Sequence, residues 1–389
     1  MKTILRTIIP ALLISIQLAA CRYERPMYMK VRDIYPTADS LIENGLGKEA
    51  LKEIFSQFTD EEILADDSLM LLQRRAYFSV IPCTGLKKIG KSAYSLTRQS
   101  GDGGKIIVAD YEDSILRFLS GDSLKEIGTV ATGFEPMCVA ASPDGSLVAT
   151  GKENGGADIY EIETGKLIKS YKPHMTRTRS ITWGNGNLIY SCGNDRAVAA
   201  YDLKGDSLRW MFRKNYKNVK DLDTSPDGSV IITASNDGVV FVLDSAGHQL
   251  HRIVNGKNYC NTAIVFPDKS RFATAGAEGN VRVFNAKTLN QEGSFVAFKG
   301  VPVWKMTITP DGKRIDAAAY NTVSVINPLR PELSYAIPYV APSQIMDLTF
   351  DSDGNLIFVT EDGYIGRIIF PSDAEQLRLN HQLCGDQKP

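Results

Sequence analysis

Spacings that hold metals are missing from this chain. None of its six cysteines form a CxxC pair, and its four histidines, His174, His248, His251 and His381, never fall at Cys/His ligand distances, which argues against a zinc site. So few histidines also leave little general base for nucleophilic chemistry. An excess of either charge is absent too. With 44 Lys+Arg against 45 Asp+Glu the net charge is -1, which excludes a globally basic nucleic-acid binder and a strongly acidic solvating chain, so charge matters only locally. After the first twenty residues no apolar run approaches the roughly 20 residues that a spanning helix needs. What remains is ordinary for a folded protein: 389 residues, 43% hydrophobic, with 32 Gly and 17 Pro to supply many tight turns.

The N-terminus reads Lys2 and Arg6, an apolar run from Ile8 to Leu18, then Leu18-Ala19-Ala20-Cys21. Small residues before the break fit a cleavage site. The segment resembles a bacterial lipoprotein signal: residues 1–20 would be removed, Cys21 lipidated, and residues 21–36 left as a tether. That resemblance implies an exported protein, membrane-anchored in the cell envelope and facing the periplasm or the cell surface. A plain signal peptide and an uncleaved anchor are the competing readings; Pro10 interrupts the run and counts against the anchor. In an oxidising compartment some of Cys83, Cys138, Cys192, Cys260 and Cys384 could pair, their odd number leaving one over.

Internal repetition dominates the rest. The turn residues Asp102, Asp144, Asn185, Asp227, Asp268, Asp311 and Asp353 follow one another at 42, 41, 42, 41, 43 and 42 residues, and all but Asp268, which precedes Lys269, are followed by Gly. Phe118, Tyr160, Tyr201, Leu243, Phe284, Ile326 and Ile369 lie 16 residues further on, Ile326 at 15. Between the markers the pattern alternates as strands do, with hairpin pairs such as Asn154-Gly155, Asp237-Gly238 and Asp362-Gly363. Each unit is about four short strands that cannot bury both faces alone, and radial packing of seven copies solves this. The fold class is therefore all-β, a seven-bladed β-propeller over residues 81–389. From Leu86 to Phe370 the period and turn chemistry resemble WD-repeat propellers, with Tyr160-Glu161, Tyr201-Asp202, Leu243-Asp244, Phe284-Asn285 and Ile326-Asn327 where that family has Trp-Asp. Its Gly-His pair is missing, which bears on the family's internal hydrogen-bond network. The outer strand that closes the ring comes either from residues 376–383 or from residues near Cys83, and either arrangement could bring Cys83 and Cys384 close enough to bridge.

Residues 37–80 carry a different period: Leu41, Ile42, Leu46, Leu51, Ile54, Phe55 and Phe58 recur at helical spacing. Gly45 followed by Ala50 and Leu51 resembles the second half of a tetratricopeptide unit. Nine acidic residues between Asp39 and Asp67 stand against Lys48 and Lys52; they form a solvated face or dock on a basic surface.

Several catalytic signatures occur and lack their context. Gly85 to Ser92 satisfies GxxxxGKS, but the phosphate loop needs a helix after it and here a strand from Ala93 follows. Gly-Asp-Ser-Leu occurs at Gly121 and Gly205, 84 residues apart, so both copies fall in turns between third and fourth strands. Asp351-Ser352-Asp353-Gly354 is too short for a helix-loop-helix calcium site.

In WD-like propellers one face carries the connections between blades. Those stretches are basic here: Lys169, Lys172, Arg177 and Arg179, then Arg209, Arg213, Lys214, Lys217 and Lys220, with Arg252, Lys257, Lys299 and Lys305 beyond them. The turn aspartates collect on the opposite face. Arg177, Arg179, Lys217 and Lys220 with Tyr216, Tyr259 and Trp304 are accordingly the candidate binding residues, for a protein or anionic envelope ligand. No cofactor, metal or nucleic acid is implied. The alternative is a propeller hydrolase, lactonase or quinone-dependent dehydrogenase, whose chemistry would have to be built in the central funnel from Arg179, Asp221, Asn261, Lys305 and Asp347.

Overall fold

The computed structural model describes residues 27–101, 104–255 and 258–385; Cys21 and the segment expected to be a signal lie outside them. Chain contacts divide it into a helical unit, described over 27–76 and 373–385, and a unit of residues 77–372. No helix among the described residues is long and apolar enough to cross a membrane.

In the helical unit α1 (Met27–Glu43), α2 (Gly47–Gln57), α3 (Asp60–Ala65) and α4 (Asp67–Val80) are joined by α5 (Asp373–Cys384). Two expectations change here. The tether gives way to helix from Met27, and the C-terminal residues considered for a closing strand form α5 instead. The reason is packing: Leu377 enters a core with Ile34, Ile54, Phe58, Ile63 and Leu72, and Asn380 donates to Gln73 Oε1 at 3.0 Å. Much of the acidic run is engaged locally. Thr59 and Glu62 cap α3 reciprocally, Asp66 accepts from the Ser68 and Leu69 amides, and Asp39 pairs with Arg75 at 2.5 Å.

The second unit is a seven-bladed β-propeller of antiparallel four-stranded sheets. From the centre outward the blades are β2 (Ala93–Arg98), β3 (Ile106–Asp110), β4 (Ile115–Leu119) and β5 (Glu126–Ala131); β6 (Pro136–Ala141), β7 (Leu147–Lys152), β8 (Ala157–Glu161) and β9 (Leu167–Tyr171); β10 (Thr178–Trp183), β11 (Leu188–Gly193), β12 (Val198–Asp202) and β13 (Ser207–Phe212). Next come β14 (Val219–Thr224), β15 (Val230–Ser235), β16 (Val239–Asp244) and β17 (Gln249–Val254); β18 (Cys260–Val265), β19 (Arg271–Gly276), β20 (Asn280–Asn285) and β21 (Gln291–Val296); β22 (Lys305–Ile308), β23 (Ile315–Ala319), β24 (Thr322–Ile326) and β25 (Tyr335–Ile337). The seventh blade takes β26 (Ile345–Phe350), β27 (Leu356–Thr360) and β28 (Tyr364–Ile368) from the end of the repeat array and its outer strand β1 (Thr84–Lys88) from before it, with Lys87 opposite Ile365. Of the two closure routes, the residues beside Cys83 provide the strand.

The Cys83–Cys384 bridge considered from the sequence would join residues of the two separate units. The Cys83 thiol is turned to the Thr84 carbonyl at 3.5 Å, while Cys384 packs in the helical unit near Ala50, Leu51 and Ala76. Burial pushes the thiols of Cys138 and Cys260 up to about 12, leaving them inert apolar fillers.

The third-strand marker residues are core: Phe118, Tyr160, Tyr201, Leu243, Phe284 and Ile326 are buried, whereas Ile369 lies just beyond β28 and is exposed. The turn ladder also holds in its six described rungs; Asp102 lies outside the described residues. Gly145, Gly186, Gly228, Gly312 and Gly354 have φ between 64 and 78°, and Lys269, the residue that breaks the Gly pattern, takes φ 59° at the same position. The two Gly-Asp-Ser-Leu copies do lie in turns between third and fourth strands, yet they are out of phase. The left-handed residues of those turns are Leu124, Gly165, Asp206, Gly247 and Leu289, so the fourth residue of one copy corresponds to the second residue of the other.

Lys269 allows a direct test. A non-Gly residue at positive φ costs about 1–2 kcal/mol, and glycine's greater freedom in the unfolded chain takes back about 0.5–1 kcal/mol. Its exposed pair with Asp227 at 2.7 Å adds little. Lys269→Gly should therefore stabilise the propeller by about 0.5–1 kcal/mol in urea denaturation; a lower midpoint would contradict this strain.

Candidate functional site

A cavity of about 470 Å³ opens along the propeller axis. Its upper tier is built by β-bulges. The pairing register of innermost and second strands slips at the first turn of the innermost strand in six blades, at Tyr94, Met137, Arg179, Lys220, Asn261 and Met346. An unpaired bulge residue is re-aimed out of the sheet, and all six side chains line the cavity together with Trp304 of the sixth blade.

The tier below is a ring of Ser95, Cys138, Ser180, Asp221, Thr262, Lys305 and Asp347, in which all but Cys138 are hydrogen-bonded through the carboxylates of Asp221 and Asp347. Asp221 accepts from Lys305 Nζ at 2.8 Å, Ser180 at 3.0 Å and Thr262 at 2.9 Å. Asp347 accepts from Ser95 Oγ at 2.6 Å and the Leu96 amide at 3.0 Å, tying the last blade to the first. Burial works against the Lys305 charge, but Asp221 and Asp347 outweigh it and hold the ammonium well above the usual lysine value. Burial pushes the Asp347 carboxyl up, with Lys305 opposing. Removing one member of such a pair costs about 3–5 kcal/mol, so this ring is cement between blades. Of the residues considered for a funnel site, Arg179, Asp221, Asn261, Lys305 and Asp347 all line the cavity; Asp221 and Lys305 satisfy one another, and Asn261 donates to the Val303 carbonyl at 2.9 Å. Among the described residues no group of three or more His, Cys, Asp or Glu is placed to hold a metal.

The mouth is different. Arg177 pairs with Glu153, but Arg179 finds only the Asn194 side chain, at 2.8 Å, and Lys220 stands 6.0 Å from the Trp304 ring centre. Among the described residues neither Arg179 nor Lys220 has an acidic partner. Burial, then repulsion from Arg177, depresses the Arg179 pKa; burial, then repulsion from Arg179 and Arg177, depresses that of Lys220. Two partly dehydrated like charges side by side are an unfavourable arrangement that an anion would relieve. Many of the other described cations are ion-paired, among them Arg117, Arg282 and Arg314. Lys169 and Arg209, expected on the between-blade face, lie on outer strands β9 and β13 and pair with Asp206 and Asp202.

Of the candidate binding residues, Arg177, Arg179, Lys220 and Trp304 meet at this mouth, while Tyr216, Lys217 and Tyr259 lie exposed on the connections outside it. Sequence reading missed Tyr94, Met137, Gln344, Met346 and Glu361 in the lining; nothing in a strand sequence marks the bulge that turns three of them inward. Only Tyr216 and Tyr259 were foreseen of a repeated apolar exposure: Phe134, Met175, Tyr216, Tyr259 and Tyr339, one on each of five between-blade connections, are 40 to 77% exposed. The opposite face differs in kind. Its turn carboxylates hold their own backbones, as Asp144 accepts from the Ser146 amide at 3.0 Å and Asp311 from the Lys313 amide at 3.1 Å.

The histidine network on which the missing Gly-His pair bears is present once. His174 Nδ1 lies 2.9 Å from Asp195 Oδ1 and Nε2 3.0 Å from Ser191 Oγ. These are the residue types of a hydrolase triad, but Ser191 and His174 are 1 and 2% exposed, beyond a substrate's reach. The set locks a hairpin turn, and the sequence hid it because Pro173 precedes the histidine instead of Gly. The GxxxxGKS stretch runs from β1 straight into β2 with no helix after it.

Phased blades, an axial cavity and a closing strand taken from before the first repeat define a β-propeller of WD-repeat type, an architecture typical of protein-interaction scaffolds. Residues 207–244 match the model of the WD domain, G-beta repeat, a frame that takes the outer strand β13 of one blade with β14 to β16 of the next. The chain is similar to WD repeat and SOCS box-containing protein 1 of Homo sapiens, 28% identical over 41% of this chain and 40% of that protein. It is also similar to Pre-mRNA-processing factor 19 of Dictyostelium discoideum, 24% identical over 58% of this chain and 46% of the relative, and to the COMPASS component SWD3 of Saccharomyces cerevisiae, 26% identical over 33% and 41%. The chain spans less than half the length of each of these relatives.

Proposed function

We propose that this protein is a non-catalytic scaffold, held at a membrane in the cell envelope by lipidated Cys21, that captures an acidic segment of a protein partner on the between-blade face of its propeller. The observation that carries the binding reading is the pair Arg179 and Lys220, partly buried without acidic partners beside Trp304. Around that mouth the exposed Phe134, Met175, Tyr216, Tyr259 and Tyr339 supply apolar anchors, the combination of aromatic and Arg contacts that concentrates binding energy in protein interfaces. Arg177, held by Glu153, and Lys217 on the neighbouring connection extend the positive field that would steer an acidic chain.

Reversing Arg177, Arg179, Lys217 and Lys220 to Glu should abolish crosslinked partner recovery from envelope extracts, while reversing Lys269 and Lys313 on the opposite face should leave it intact. Equal recovery from both variants would sink the binding reading. Leu18-Ala19-Ala20-Cys21 supports the anchor. Cells fed a clickable fatty acid should label the wild-type protein, and Cys21→Ser should lose the label and leave the membrane fraction; a variant that keeps its label would overturn it.

A further inference from the structure

A second basic cleft, apart from the axial mouth, lies where the third and fourth blades meet. It has a volume of about 600 Å³ and is lined by Arg196, Arg213, Lys214, Tyr216 and Arg252, with Asp195, Asn215, Phe241 and Gln249 completing its walls. The four cations come from three separate elements: the β11–β12 turn, the connection after β13, and β17.

Nearby outer-strand cations are neutralised, Lys169 by Asp206 and Arg209 by Asp202, but those of the cleft are not. Among the described residues none of Arg196, Arg213, Lys214 and Arg252 makes an ion pair; Lys214 meets Gln249 at 3.1 Å and lies 5.8 Å from the Phe212 ring centre. The single acid in the wall, Asp195, is already engaged by His174 and by the Met175 and Ala197 amides. Arg196 adds a backbone observation. It takes φ 68° at the turn position that Gly155, Gly238, Gly279 and Gly363 fill in four other blades. An arginine kept where glycine would be cheaper is strain at a place where its side chain is wanted.

We infer that this cleft binds a phosphate monoester. The charge and donor count favour that group over a carboxylate. A carboxylate has two oxygens and occupies one guanidinium fork, whereas a phosphate dianion presents three oxygens and nearly twice the charge to three arginines and a lysine. Tyr216, 77% exposed at the edge, gives the group that carries the phosphate an apolar wall.

The test is titration calorimetry on the full chain with three probes: inorganic phosphate, a phosphoserine peptide, and the same peptide with glutamate for phosphoserine. The phosphoserine peptide should bind at least tenfold more tightly than the glutamate peptide. Weaker binding of inorganic phosphate would assign the site to a phosphorylated protein segment, and equal binding to a small phosphorylated compound. Arg213→Gln with Arg252→Gln should weaken phosphate binding at least tenfold, while Arg179→Gln with Lys220→Gln should leave it unchanged, which separates this cleft from the axial mouth. Arg196→Gly supplies a readout that a structural role would not give: the melting temperature should rise while phosphate affinity falls. Equal affinity for the glutamate peptide, or phosphate binding indifferent to Arg213, Arg252 and Arg196, would overturn the assignment.

Discussion

A four-stranded blade has two apolar faces and no means of covering either, so each blade is stable only between two others. That constraint sets almost everything else. Apolar clusters bridge neighbouring blades: Ile107, Leu116 and Phe118 of the first pack with Val139, Val148 and Tyr160 of the second, and Ile106 and Val108 of the first with Ile357 and Val359 of the last. Each fully buried side chain of this kind contributes about 1.5–3 kcal/mol. Polar bonds between innermost strands set the rotation from one blade to the next. Ser95 and Thr97 accept from the Val139 and Ala141 amides, Trp183 donates to the Ala140 carbonyl, Thr224 to that of Trp183, and the Met306 amide to Thr262. Asp347 closes the circle on Ser95 and Leu96.

The proposed binding surface follows from the same geometry. Where the innermost strands begin, the bulge that frees one residue per blade from pairing turns a ring of side chains toward the axis. Below it, the ring must be satisfied because it holds the blades together, and Asp221 with Lys305 does so. Above it Arg179 bonds Asn194 and Lys220 faces the Trp304 ring, and among the described residues neither has an acidic partner. Cementing contacts and the charges of the proposed binding mouth thus sit one residue apart along the same strands.

Blade number, phase and turn positions were legible because turn chemistry repeats: a left-handed residue needs Gly or a tolerated substitute, and Lys269 could be placed by phase alone. The third-strand markers were legible for the same reason. Closure was only narrowed to two routes, since a short strand such as Thr84–Lys88 carries no signal of its partner. α5 was missed because its apolar residues are few, Leu377 being its main core contact. At the site, Arg177, Arg179, Lys220 and Trp304 could be gathered from charge and position, but Tyr94, Met137 and Met346 could not, because nothing in a strand sequence marks a bulge. The His174 network escaped for want of its usual glycine, and the offset of the two Gly-Asp-Ser-Leu copies shows how a four-residue match misleads when the turn's own phase is ignored.

The central claim is that one face of this propeller, the one bearing the connections between blades, receives a protein. Site-specific photocrosslinking tests it most directly, with a photoreactive residue placed singly at Tyr216 or Tyr339 on that face and at Ser229 or Lys313 on the other, in the full chain in its native cell. The account predicts discrete adducts from Tyr216 and Tyr339 and none from the opposite turns. Adducts confined to Ser229 and Lys313, or of equal yield on both faces, would contradict it.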